Sequence, residues 1–324
     1  MSGILDASLQ VATSLIASMS ASDEEHEETL TGTLLGSLLA SNSLLALFTA
    51  HLDIPPSQCW WGSYSKYRSK EMDKTEAGSG ADFALLTLLE TGGARLTIFQ
   101  AKRGELDGKT WTFDANRVPQ PPKNGDGEQR ASQMVVLVET ARRLSVLAMG
   151  GTEVVVSHES AMSEILEGSS EEMAAKLHGF DWIHYLIYTK EEPKCIALKH
   201  MSSAYLKELT GTRNKTPVYL TEEDCERFTA LVLRGSGADG RGWLEFKDAA
   251  TAISALPHLL PLVPVVVGDG TGSHGPALQN VLGLKKLVLN LQSGPLADLL
   301  GKITAAPSPS ESRPRTKMQP KVGQ

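Results

Sequence analysis

The sequence predicts an α/β fold, a central mixed sheet flanked by helices and continued by a C-terminal α/β extension. Three observations point there. Two β-like runs, ADFALLTLLE and ARLTIFQAKR, stand on either side of Thr91-Gly92-Gly93, a good hairpin connection. Leucines at helical spacing precede that hairpin, and a helix-like stretch follows it. Two further strand-like runs, TEVVVS (152–157) and WIHYLIYT (182–189), flank a helix-like segment at 160–177. The order helix, strand, strand, helix, strand, helix, strand is an α/β pattern.

Taken in order, Leu5, Leu9, Val11, Leu15 and Ile16 mark an amphipathic helix at the N-terminus. No positive charge precedes its apolar residues, which speaks against a secretory signal. Ser22 with Glu25 three residues on makes a capping box. Leu30, Leu34, Leu35, Leu38 and Leu39 then give a buried face over 24–40, with 44–50 extending or restarting the helix before Pro55-Pro56. Residues 104–127, rich in Gly, Pro, Asn and Asp, read as one long loop, and 128–148 as a helix closed by Gly150-Gly151. Beyond residue 200, AYLKEL and EEDCERFTALVL read as helical, LVPVVV as a strand, and PALQNVLG and PLADLLGKI as short helices. The Pro/Ser-rich stretch from Ala305 reads as disordered. The expected divisions are therefore an N-terminal helix (1–21), a core (22–200), a C-terminal mixed region (201–304) and a tail (305–324).

The bulk numbers narrow the function classes. A chain of 324 residues with 41% hydrophobic and 21% charged residues can bury a substantial core. Its net charge of −7 argues against a protein that coats nucleic acid non-specifically, while leaving room for one local basic groove or a partner. The three cysteines, Cys59, Cys195 and Cys225, form neither a CxxC pair nor an even disulfide set, which fits a reducing, cytoplasmic setting and no zinc. No run of about 18 uninterrupted apolar residues exists, so no transmembrane helix is expected.

The residues with chemistry lie on the hairpin. Asp82 stands at the start of one strand, Gln100 and Lys102 at the end of the next. Side chains two apart on a strand share a face, so Gln100 and Lys102 project together. In an antiparallel pair the start of one strand lies beside the end of its partner, so Asp82 can meet both. A carboxylate and an amide oxygen are hard ligands suited to Mg²⁺ or Mn²⁺. Such an ion lowers the pKa of a bound water and offsets phosphate charge, and a lysine beside it orients the water or stabilises the pentacovalent phosphate.

These residues, GAD, about 17 intervening positions, then FQAKR, resemble the PD-(D/E)XK nuclease superfamily, in its Mrr-like QxK variant. The resemblance spans residues 22–145. It implies a restriction-endonuclease-like core and Mg²⁺-dependent hydrolysis of phosphodiester bonds, in DNA rather than RNA, with a role in restriction or anti-phage defence. It also implies a glutamate from the preceding helix. Glu24 and Glu27 fall near the centre of the leucine face and Glu28 at its edge; Glu27 and Glu28 are the favoured pair and stay unseparated. By the resemblance Asp82, Gln100 and Glu28 bind metal, Asp82, Gln100, Lys102, Glu27 and Glu28 are the catalytic set, and a glutamine follows on the next helix, Gln133 in preference to Gln129. The sequence departs from the pattern where Gly80-Ala81 replaces the Pro of the motif name and where Gln100 removes a negative ligand.

Other features read two ways. Trp60, Trp61, Tyr64, Lys66, Tyr67, Arg68 and Lys70 suit contact with a nucleic-acid backbone and bases, or form a surface loop anchored by its tryptophans. Arg103 faces phosphate or pairs with Glu105. The run Val265 to Gly272 ends in a Gly-rich loop but lacks GxGxxG before a clear helix and lacks Gly-Lys-Ser/Thr, so it reads as a flexible loop rather than a nucleotide site. His184 reads as a core histidine. The whole constellation has a second reading, a catalytically silent nuclease-like fold that serves as a binding or assembly module. A regulatory protein partner or a homo-oligomer is compatible with either.

Overall fold

Apolar residues at i, i+4 spacing build the first two helices, which cover one face of the sheet. The structure, a computed structural model, describes residues 4–21, 25–48, 58–62, 80–115, 133–149, 172, 176–209, 216–221, 223–286, 298 and 301–302. In α1 (Ile4–Ser20) the buried stripe is Ile4, Leu5, Ser8, Leu9, Ala12, Thr13 and Ile16, down to Ser20. Val11 and Leu15, expected on that stripe, are 52% and 42% exposed, because Ser8 and Thr13 occupy it instead. Their hydroxyls escape the cost of burial by donating back to the carbonyls of Ile4 (2.5 Å) and Leu9 (2.9 Å). In α2 (Glu27–Phe48) Leu30, Leu34, Leu38 and Asn42 are buried, and Leu35 and Leu39 pack half-buried beside them. Among the described residues α2 is the one helix long and apolar enough to span a membrane, with a mean hydropathy of 1.4 over Glu27–Leu47. It packs on α1 and on the sheet.

The sheet strands, in chain order, are β1 (Gln58–Gly62), β2 (Phe83–Leu88), β3 (Ala94–Arg103), β4 (Glu105–Asp107), β5 (Thr110–Asp114), β6 (Ile183–Tyr188), β7 (Lys194–Ala197), β8 (Pro217–Tyr219), β9 (Cys225–Arg227), β10 (Leu244–Phe246), β11 (Val265–Asp269) and β12 (Leu284–Lys286). The helices that follow α2 are α3 (Gln133–Ala148), α4 (Ser202–Leu209), α5 (Phe228–Ser236), α6 (Ala249–Leu259) and α7 (Gly275–Gln279). Among the described residues nine strands form one mixed sheet in the order β12-β1-β11-β2-β3-β6-β7-β9, with β10 paired to the first residues of β3. β2 and β3 are the antiparallel hairpin, while β3 runs parallel to β6 and β2 parallel to β11.

Every residue of β2 and of β6 is buried, so both faces of the sheet centre are covered. On one face Phe83, Leu85, Phe99, Ala101, Leu186 and Tyr188 pack under α1, α2 and α5. On the other Ala84, Leu86, Ile98, Ile183, Tyr185 and Ile187 pack under α3 and α6. Each leucine, isoleucine and phenylalanine among them contributes roughly 1.5–3 kcal/mol by leaving water, and each alanine less.

The structure departs from expectation in three places. Residues 104–127 do not form a single loop: β4 and β5 make a hairpin across Gly108, whose φ of +62° suits the turn after Asp107. The run EEDCERFTALVL is strand at Cys225–Arg227 before it is helix, because Cys225 and Glu226 pair with β7. The boundary drawn at residue 200 is crossed by the sheet, since β9, β10, β11 and β12 all join it and residues 1–287 form one unit. The apolar run at 265–267 is satisfied only by neighbours on both edges, which β1 and β2 supply. Expectations for 152–157, most of 160–177 and the tail from 305 lie outside the described residues, as does most of PLADLLGKI.

Candidate active site

The hairpin register builds the site. Phe83 pairs with Phe99, so one step further places Asp82 opposite Gln100. The Asp82 amide donates to the Phe99 carbonyl at 2.9 Å, which fixes its backbone to β3. Its Oδ2 accepts from the Ala101 amide at 2.7 Å and from Gln100 Nε2. Gln100 Nε2 also donates to the Ala101 carbonyl at 3.1 Å. Gln100 is 0% exposed, and its Oε1 is buried with no hydrogen-bond partner among the described residues. A buried amide oxygen without a donor costs about 1–3 kcal/mol, so this atom requires an explanation.

Lys102, on the same face of β3 as Gln100, is 6% exposed. Its Nζ donates to Gln133 Oε1 at 3.1 Å and lies 3.8 Å from Glu27 Oε1. The ammonium therefore joins the first turn of α2 to the first residue of α3 across the end of β3. A buried lysine needs such partners, because an unpaired charge in the interior is expensive. Glu27 is half-buried, whereas Glu28 one residue on is exposed. Glu27 is thus the helix glutamate placed beside Lys102. Gln133 is the glutamine placed there too, and Gln129 lies outside the described residues.

Gly80 stands two residues before Asp82. Its φ is +69°, and a Cβ on it would come within 2.9 Å of the Leu137 backbone amide and would press on the Gln133 carbonyl. The chain approaches the start of α3 so closely that only glycine fits, and this contact sets the distance between Asp82 and Gln133.

Two site residues carry no signal in the sequence. Tyr188, at the end of β6, is buried, and its hydroxyl lies 2.9 Å from Thr31 Oγ1. Burial raises the phenol well above its ordinary pKa; the Thr31 hydrogen bond opposes this, and the Asp82 and Glu27 carboxylates add to it. Thr31 Oγ1 donates to the Glu27 carbonyl at 2.9 Å, so the proton between the hydroxyls comes from Tyr188. Thr31 stands one turn after Glu27, so the tyrosine ties the glutamate-bearing turn to the sheet. Only the parallel pairing of β3 with β6, which places Tyr188 beside Arg103, brings it there.

Arg103 Nη1 donates to the Glu25 carbonyl at 3.0 Å. Lys66, Arg68 and Lys70 lie outside the described residues. Trp60 and Trp61 belong to β1, where Lys286 and Lys285 stand 5.7 and 5.4 Å from their ring centroids. Cys59 and Cys195 are buried free thiols, with Cys59 pushed up to about 12 by burial. The loop at 269–274 is structural: the buried Asp269 carboxylate accepts from the amides of Thr271, Gly272 and His274 at 3.0–3.2 Å. Those amides are spent on Asp269 rather than on a phosphate. His184 is buried, Nε2 meets the Gly242 carbonyl at 3.0 Å, and burial pushes its pKa down to about 4.

Among the described residues no group of three or more His, Cys, Asp or Glu side chains could hold a metal ion. Any ion at this edge would rest on Asp82 and the Gln100 amide. Comparison with protein-family models, with curated proteins and with solved structures finds no match to this chain.

Proposed function

We propose that the chain is a metal-dependent nuclease with a restriction-endonuclease-like core, of the PD-(D/E)XK type in its QxK form. The observation that carries this reading is the meeting of Asp82, Gln100, Lys102, Glu27 and Gln133 at one sheet edge, around a buried amide oxygen with no donor. The donor set fits Mg²⁺ or Mn²⁺: one carboxylate, one amide oxygen in need of a positive partner, and a helix glutamate nearby suit an ion that keeps several waters. When bound, Mg²⁺ lowers the pKa of a water and offsets the charge on a phosphate.

The chain's own residues do the rest. Asp82 and Gln100 would hold the ion, with Glu27 nearer than Glu28 to contribute. Lys102, held on two sides by Gln133 and Glu27, presents a fixed positive charge where a phosphate gains negative charge in the transition state. The expected substrate is DNA, the setting cytoplasmic, and the role an effector in restriction or anti-phage defence under the control of a protein partner. A second reading has its own support, because the Gln100 amide donates to Asp82 and, among the described residues, no three-acid cluster stands there. On that reading the fold is a silent binding or assembly module.

Cleavage of supercoiled plasmid and linear DNA with Mg²⁺, Mn²⁺ or EDTA separates the two. Nicking that needs the metal and falls at least about 10²-fold in both Asp82→Ala and Lys102→Ala is the expected result. The silent module predicts no cleavage, no thermal shift with either ion, and unchanged cellular activity in Lys102→Ala.

A further inference from the structure

The outward-facing residues of α1 and α2 form a surface without charge. No Asp, Glu, Lys or Arg occurs from Ala7 to Ser22 or from Thr29 to Ala50, in a chain in which 21% of residues are charged. Both helices lay their buried stripes against each other and the sheet. What points away is Val11 and Leu15 of α1, 52% and 42% exposed, with Gly32, Gly36 and Ala40 of α2, all exposed. Only 28% of the most apolar stretch of α2 is buried, although its mean hydropathy is 1.4. A helix between a core and water normally carries charge on its outer side. This pair carries methyls, hydroxyls and bare backbone there.

The surface has the size and shape of an interface. α1 has 17 residues and α2 has 22, about 25 and 33 Å of helix. Side by side, at about 10 Å each, they offer about 500 Å². Two such surfaces face to face bury about 1,000 Å², the lower bound for a specific interface. At its middle a Cβ on Gly32 or on Gly36 would meet nothing within 4 Å among the described residues. Another helix can therefore approach the backbone at the near end of the 8–10 Å packing range.

Charge selects the occupant. Residues 1–65 hold seven acids, Glu25, Glu27 and Glu28 among them, and no lysine or arginine. Helices that lie on a lipid surface carry basic side chains beside the apolar face, and nucleic acids are held by basic side chains, so neither partner suits this one. A second copy presents a neutral face to a neutral face and closes about a two-fold axis. Parallel α2 helices would bring the acidic first turns together. Antiparallel ones crossing at the glycines set those turns about 20 Å apart, beyond the ~8 Å Debye length at physiological salt.

We infer that the chain forms a two-fold homodimer through α1 and α2, with the two α2 helices crossing antiparallel at Gly32 and Gly36. The contact bears on the same helix whose first turn places Glu27 beside Lys102. The dimer stands whether or not the chain cuts DNA.

Sedimentation equilibrium of the full chain from about 1 to about 100 µM tests it, since an interface near the lower size bound dissociates reversibly in that range. The expected result is a monomer–dimer equilibrium that Leu15→Glu and Gly36→Arg each weaken at least about tenfold. Arginine is a better helix former than glycine and finds open space at residue 36, so the melting temperature of dilute Gly36→Arg should not fall below that of the dilute parent. A single-chain mass at every concentration overturns the inference, and so does a dimer that Gly36→Arg leaves intact. Cosedimentation with phosphatidylcholine vesicles, with and without phosphatidylglycerol, runs in parallel. Vesicle binding by the parent chain that Gly36→Arg abolishes assigns the face to lipid and also overturns the dimer.

Discussion

At Gln100 a neutral amide fills a position fully closed to solvent, one bond away from a carboxylate. Its nitrogen satisfies Asp82 while its oxygen goes without. A glutamate here would set two carboxylates side by side in the interior, where like charges raise each other's pKa and cost stability. Gln100→Glu is therefore expected to lower the melting temperature in EDTA, by an amount equivalent to about 1–3 kcal/mol. The same variant should gain more from added Mg²⁺ than the parent chain does, since it offers a second anionic ligand. Thermal shift with and without the ion reads both effects. A variant as stable as the parent in EDTA would mean that Asp82 and Gln100 do not share a buried site.

Among the elements, α2 matters through its first turn. Glu27 stands beside Lys102 on a helix that Thr31, one turn later, ties to Tyr188 at the end of β6. Thr31→Val keeps the volume and β-branched shape but removes the acceptor, and it leaves a buried phenol hydroxyl unsatisfied. The expected cost is about 1–2 kcal/mol, with cleavage falling further than that loss explains because Glu27 is freed. Urea unfolding and plasmid cleavage on the same protein check it. This is also the level at which the sequence was least legible. Asp82, Gln100 and Lys102 could be read off a hairpin, because their spacing and the period of two bring them together locally. Glu27 was legible only as one of a pair with Glu28, and Gln133 only through the family resemblance, in preference to Gln129. Tyr188 could not be read, because its place depends on a parallel pairing across 85 residues (Arg103 to Tyr188). The β4–β5 hairpin was hidden for another reason: its Asp-Gly signal lies inside a stretch whose Gly and Pro content reads as loop.

Across the whole molecule, stability should respond to acid through His184. The folded chain holds it neutral, with its pKa pushed down to about 4 by burial against the ordinary value of 6.5. As pH falls below the ordinary value the unfolded chain takes up the proton first, so unfolding is favoured and stability is lost progressively toward pH 4. The full effect is up to ~3 kcal/mol. Urea midpoints near pH 7 and near pH 4.5 should therefore differ for the parent and converge for His184→Gln, which can still donate to the Gly242 carbonyl. The overall α/β class was legible because strand and helix runs alternate. The sheet order was not, since β11 lies between β1 and β2 although nearly 180 residues separate it from β2 (Leu88 to Val265).

That insertion bears on how the protein is made. The Ala84 amide, two residues from Asp82, donates to the carbonyl of Pro264, and β2 has β11 as its second neighbour. While the chain is still on the ribosome, β2 can pair with β3 but must leave its other edge bare until residue 269 has emerged. A nascent or prematurely terminated product thus carries the motif residues without the strand that steadies them. The edge that carries Asp82 and Lys102 would be steadied only once β11 has been made, so on the nuclease proposal the cutting site would follow, and not precede, the closing of the sheet around β2.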